Sequence, residues 1–270
     1  MRLLATRLTA IASAVKRLFS PASLFRNSEQ GVWYDPSDFS TMFQDSAGTT
    51  PVTAVEQPVG KILDKSGRGN HATQATSTKR PILKQDANGK HYLLFDGVDD
   101  ALATGSIDFS TTDKMTVFAG VRKLSDAATG VMLELSSTSS GGVNAGVFAV
   151  FAPPTAAATY AYRSAGNLSA TADATSAASY AAPVTSVLTC TSGISTDGKI
   201  LRLNGTQVAS ASNDQGTGNY GNYPLYIGSR AGTSLPFNGH LYSLIIRGAQ
   251  STDSQIVSAE SYVNSKTGAY

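Results

Sequence analysis

The sequence predicts an all-β fold, a two-sheet antiparallel sandwich with a helix at each end of the chain. Three observations carry that expectation. Short apolar runs with period-two alternation recur between residues 91 and 246, separated by Gly, Pro, Asn and Ser. Two of these runs are joined by Asn204-Gly205, a pair that supplies the positive φ angles of a tight hairpin turn. The last segment of the chain carries its own helix start and stop signals.

Taken in order, residues 2–19 spell a helix. Leu4, Leu8, Ile11, Val15 and Leu18 follow one another at spacings of 4, 3, 4 and 3, a heptad seam, and Pro21 ends it. At ~1.5 Å per residue it is about 27 Å long and marginal alone in water. Its seam needs a partner: copies of itself, another protein, a membrane surface, or its own domain. Residues 1–15 imitate a signal peptide ending near Ala12-Ser13-Ala14, but Arg7 interrupts the apolar region, so an uncleaved helix is expected. Residues 20–30 read as a linker. The expected division is therefore 1–30, an amphipathic anchoring and oligomerisation helix with linker, and 31–270, the β domain.

Within that domain, His91 to Phe95 is apolar in both phases, as in a strand covered on both faces. Met115, Val117, Ala119 and Val121 alternate, as do Val131, Leu133 and Leu135. Val147–Phe151 is a short apolar run, and Tyr160 and Tyr162 share one strand face. Residues 155–183 hold only two charges, Arg163 and Asp173. Leu225–Ile227 and Phe237–Ile246 supply further strands. Thr252 and Gln255 form a capping box, Ile256, Ala259 and Val263 share a helix face, and Gly268 stops the helix.

Charged residues make up 15% of the chain, below the ~25% of ordinary soluble chains, so the surface is polar but weakly charged. The net charge of +2 argues against nucleic acid or another dedicated polyanion as partner. Five bases and no acid lie in residues 1–28, so the remaining 16 bases and 19 acids leave the rest of the chain at −3. The single cysteine, Cys190, excludes an intrachain disulfide and reads as a buried, inert thiol. No run of 18 apolar residues exists, so no transmembrane helix is expected.

One stretch is more specific. It begins Gly31-Val32-Trp33-Tyr34-Asp35-Pro36-Ser37-Asp38, continues through Leu63-Asp64-Lys65-Ser66-Gly67-Arg68-Gly69-Asn70-His71-Ala72, and closes with Leu94-Phe95-Asp96-Gly97-Val98-Asp99-Asp100. It resembles the front half of a laminin-G-like, concanavalin-A-like jelly roll, of the kind found in tailed-phage virion proteins. With the Asn-Gly hairpin and the capped C-terminal helix, the resemblance covers about 31–268. It implies a jelly roll that binds or decorates: a head fibre, decoration or tail appendage located in the virion. Its N-terminal helix would join other virion proteins, as a homotrimer in the manner of such fibres.

The residues that carry chemistry agree with a binding role. Glycoside hydrolysis needs two carboxylates ~5–9 Å apart. Of Glu29, Glu56, Glu134 and Glu260, only Glu134 lies on an expected strand, and the Glu-x-Asp-x-x-Glu pattern of the related glucanases is absent. A non-enzymatic protein is expected; the rival readings are a carbohydrate-active enzyme and a secreted lectin. His71, His91 and His240 have no His or Cys within four residues, which speaks against zinc. Asp96, Asp99 and Asp100, with Asp64 and Asn70 in an earlier loop, offer the hard oxygens calcium takes, but the same residues serve turns. The turn reading is preferred, and no cofactor is expected. Tyr160, Tyr162, Tyr180, Tyr220, Tyr223 and Tyr226 can stack on sugars, and the loop Asn213–Tyr220 can hydrogen-bond hydroxyls. The expected contacts to a cell-surface glycan are Tyr160, Tyr162, Asn219, Tyr220 and Tyr223.

Overall fold

The computed structural model of the chain describes residues 19–137, 145–167 and 173–270. The expected seam of Leu4, Leu8, Ile11, Val15 and Leu18 lies outside the described residues. The strands run β1 (Gly31–Tyr34), β2 (Met42–Phe43), β3 (Lys61–Ile62), β4 (Ala72–Thr73), β5 (Ile82–Gln85) and β6 (His91–Asp96). They continue as β7 (Leu102–Asp108), β8 (Lys114–Lys123), β9 (Val131–Leu135), β10 (Val147–Phe151), β11 (Ala161–Ala165) and β12 (Ala174–Thr175). The last are β13 (Val184–Gly193), β14 (Gly198–Leu203), β15 (Thr206–Ala211), β16 (Asn222–Ile227) and β17 (Asn238–Arg247), followed by the helix α1 (Asp253–Thr267).

They form the two antiparallel sheets expected. Sheet A has the order β15-β14-β13-β8-β17-β6-β5, with β1 also on β17, and sheet B the order β12-β11-β10-β9-β16-β7-β4-β3-β2. The alternating positions meet between the sheets: Met115, Val117, Ala119 and Val121 of β8 face Leu133 and Leu135 of β9 across one core. Cys190 lies in that core, and burial pushes its thiol far above its usual range. The β14–β15 hairpin turns on Asn204 and Gly205, at φ 51° and 79°.

The outer face of sheet A is half covered. α1 opens with the expected capping box, Gln255 N donating to Thr252 Oγ1 and Thr252 N to Gln255 Oε1. It closes on Gly268 at φ 62°. Ile256, Ala259 and Val263 rest on Phe118, Val187 and Ile245. Gly120 permits this approach, because a Cβ there would lie 2.5 Å from Thr267 Cγ2. Further along sheet A, Leu93 and Phe95 face the core while Tyr92 and Leu94 are half-buried. The expectation that β6 is covered on both faces thus holds only in part, because α1 ends short of it. Among the described residues, no helix is long and apolar enough to cross a membrane.

Residues 20–30 are not a free linker. A short 3-10 turn, Pro21–Phe25, buries Leu24 and Phe25 against α1 and sheet A. Glu29 is 2.6 Å from Arg247, which also reaches Gln255 Oε1 at 3.0 Å. Two apolar side chains and one ion pair therefore bring the start of the packed unit back from Gly31 to about Phe19.

The Asp64–His71 motif is a clamp. Asp64 Oδ1 accepts from Trp33 N and Ser66 N, and Oδ2 from Ser66 Oγ and Asn70 N. His71 Nδ1 accepts from Asp64 N at 3.0 Å, and Asn70 Nδ2 donates to Gly31 O at 2.8 Å. The motif ties β1 to the turn between β3 and β4. Trp33 meets α1 edge-on to Tyr262, with ring centroids 6.0 Å apart.

Candidate ligand-binding face

Three of the five tyrosine and asparagine positions expected to touch a glycan are interior. Tyr160 and Tyr162 are 0% exposed and Tyr220 is 1% exposed. The alternation placed Tyr160 and Tyr162 on one face correctly, but that face points into the sandwich. Their hydroxyls are satisfied there. Ser192 Oγ lies 2.6 Å from both Tyr162 and Tyr220, Ser164 Oγ lies 2.6 Å from Tyr220, and Tyr160 donates to Ser186 at 3.4 Å. Burial pushes all three phenols up. A core that satisfies its phenols with serines looks like a surface in sequence, because Ser and Tyr are common at both. Asn219 is exposed and donates to Ser110 O at 2.6 Å; Tyr223 is half-buried and donates to Ala145 O at 3.0 Å.

The acidic residues separate into two groups. Asp64 and Asn70 belong to the clamp on β1. Asp96, Asp99 and Asp100 bring one carboxylate oxygen each within 4.8 Å of one another. Asp96 Oδ1 accepts from Val98 N at 2.8 Å, and Asp100 Oδ2 from Asp96 N at 3.1 Å, so the cluster does build a turn. Burial, and then the charge of Asp96, push the Asp100 carboxyl up to about 6. Three carboxylates supply part of the six to eight oxygens calcium takes. Beside this turn, Gly97, Ser125, Thr129, Pro153 and Asn238 line a small cleft of about 120 Å³.

The outer face of sheet B carries the densest set of outward functional groups. The strand pairing sets Arg163, Ala149, Glu134 and Tyr226 in one row across β11, β10, β9 and β16. Their chain neighbours Tyr162, Phe148, Leu133, Leu135, Leu225 and Ile227 face the core, so the row faces out. Arg163 holds Asp173 through two bonds, at 2.8 and 2.9 Å. Glu134 is 1% exposed; Arg230 Nε is 3.3 Å from its Oε1, and Ala231 N donates to Oε2 at 2.9 Å. Burial pushes the Glu134 carboxyl up, against the lowering charge of Arg230. Both guanidinium groups lie over Phe151, at 5.0 Å for Arg163 and 6.0 Å for Arg230.

The charges on this face cancel in pairs. What remains is an array of guanidinium edges and a half-buried phenol ring beside the buried cluster of Val131, Ala149, Phe151 and Ala161. Sequence reasoning did not assemble Arg163, Arg230 and Phe151. The available signal was two opposite charges, Arg163 and Asp173, alone in a charge-poor stretch.

Solved structures share this fold. The receptor-binding domain of botulinum neurotoxin type G matches with a TM-score of 0.54 at 12% identity, over 77% of this chain and 49% of that one. The binding domain of Paraclostridial mosquitocidal protein 1 matches at 0.57 and 14%, over 78% and 51%. A botulinum neurotoxin type C structure, described as entering cells through two ganglioside molecules, matches at 0.59 and 11%, over 92% and 53%. The chain thus spans about half the length of each neighbour. No protein-family model matches the chain, and no curated protein matches it in sequence. At these identities the neighbours establish the two-sheet sandwich, and they are toxin binding domains rather than virion proteins.

Proposed function

We propose that the chain is a non-enzymatic adhesion domain of a tailed-phage virion, a head fibre, decoration or tail appendage, whose sheet B face holds host-surface glycans. The observation that carries this reading is the row Arg163, Ala149, Glu134, Tyr226. A sugar is neutral and amphipathic, and this face offers fixed hydrogen-bonding ends and a ring with no net charge. Glu134, the strand carboxylate a hydrolase would draw on, is committed to Arg230 and to the Ala231 N–H. Two acting carboxyls are needed for glycoside cleavage, and the neighbours of Glu134 in the row are Ala149 and Tyr226. The neighbours whose descriptions mention gangliosides and a sialyl ligand lend the same direction.

The attachment geometry is compatible with display. Phe19 packs edge-on against Tyr262 at 6.4 Å, on the α1 side of the molecule. Phe19 therefore stands on the face of sheet A that carries α1, opposite sheet B. Three copies of a face binding at about 1 mM each would hold far more tightly through linkage. The second reading, a carbohydrate-active enzyme, is favoured only by the raised Glu134 carboxyl, which is the property of a general acid.

Retention of full-length protein on host cells, for the parent and for Tyr226→Ala and Arg163→Gln, tests the reading. At least a tenfold loss is expected in both variants. Parental retention in both would remove sheet B as the binding face.

A further inference from the structure

Among the described residues, α1 leaves a strip of sheet A uncovered. The helix ends at Thr267 over Gly120, and two residues further along β8 Arg122 points outward beside His240 of β17. His240 in turn stands beside Leu94 of β6. The His240 ring stacks on Tyr92 with centroids 3.8 Å apart and planes 12° apart. Arg163, Arg202, Arg230 and Arg247 each hold a carboxylate of this chain. Among the described residues Arg122 holds none: it is half-buried, and its buried Nε has no hydrogen-bond partner there.

We propose that this strip is a second ligand site, for a carboxylated sugar, with Arg122 taking the carboxylate and the Tyr92–His240 stack taking the flat face of the ring. A guanidinium whose Nε is out of water and unpaired gains a two-pronged bond from a carboxylate at little further desolvation cost. The neighbouring charges are already engaged. Lys84 is paired with Glu56. Asp86 accepts from Asn88 N and Lys90 N at 2.9 Å each and from the Tyr242 hydroxyl at 3.4 Å. His240 is held down to about 4, first by burial and then by the Arg122 charge, so the stack is uncharged at neutral pH and leaves Arg122 as its only free charge. This site is on the opposite sheet from the proposed adhesion face and asks for an anionic ligand where that face asks for a neutral one.

The test titrates full-length protein with sialyllactose, a galacturonate trimer, lactose and inorganic phosphate, following binding by NMR shifts and calorimetry. The two acidic sugars separate the sialate and uronate sources of the same chemistry. At least one of them is expected to bind at about 1 mM, with lactose and phosphate at least tenfold weaker. Arg122→Gln should lose at least tenfold, and Arg122→Lys less. Arg122→Gln breaks no hydrogen bond among the described residues, so its melting temperature should match the parent and certify the fold. No binding of either acidic sugar overturns the proposal, as does unchanged affinity in Arg122→Gln. Phosphate binding as tightly as the sugars also overturns it, because the site would then read charge alone.

Discussion

Arg230 reaches from the loop after β16 to Glu134 on β9, its Nε 3.3 Å from the carboxylate, with side chains 16% and 2% exposed. The pair fixes that loop on sheet B and takes Glu134 out of circulation. Removing one charge from such a pair leaves the other buried and uncompensated. Glu134→Gln is therefore expected to cost about 3 kcal/mol in urea melts. A loss under about 1 kcal/mol would mean that water already screens the pair.

Tyr162 and Tyr220 share Ser192 as a hydroxyl partner. Phe at either position should cost about 1 kcal/mol, and the double variant less than the sum, because the second change removes a network already opened. Glycan retention should be unchanged in all three. Retention that falls without a loss of stability would return these residues to a ligand site.

How these tyrosines were misplaced shows what the sequence can say. Period and turn chemistry gave the strands, the Asn204-Gly205 hairpin and the α1 caps, because those signals are local. Which face of a strand points inward is decided by the opposite sheet, and Tyr with Ser suits either side. Leu24 and Phe25 were hidden by the proline and polar residues around them. The row from Arg163 to Tyr226 depends on the register of three strand pairs, one of which joins β9 to the distant β16, and no local pattern encodes it.

Asp100 gives a pH dependence with a definite sign. Its folded value of about 6 lies above the ordinary 3.8, so its favourable contribution is present below about pH 4 and lost as pH rises through 6. Acidification from pH 7.5 to 5 should raise the parent melting temperature relative to Asp100→Asn. That variant should be the more stable protein at pH 7.5. Parallel curves for the two would show that the carboxylate is not strained by Asp96.

The packed segment before Gly31 separates two truncations. A version starting at Phe19 should melt like full-length protein, while one starting at Gly31 loses Leu24, Phe25 and the Glu29–Arg247 pair and should be destabilised by about 4 kcal/mol. Light scattering should give three chains for the full-length protein and one for the Phe19 version. Equal assembly mass for both would take the oligomer away from residues 1–18.

Binding and cleavage can be read in one assay. Purified full-length protein is incubated with immobilised host envelope polysaccharide, and retained protein and newly formed reducing ends are measured in the same wells. The expected result is retention that falls at least tenfold in Tyr226→Ala, with reducing ends at the level of a protein-free blank. Reducing ends that accumulate with time and vanish in Glu134→Gln would contradict it and make this sandwich an enzyme.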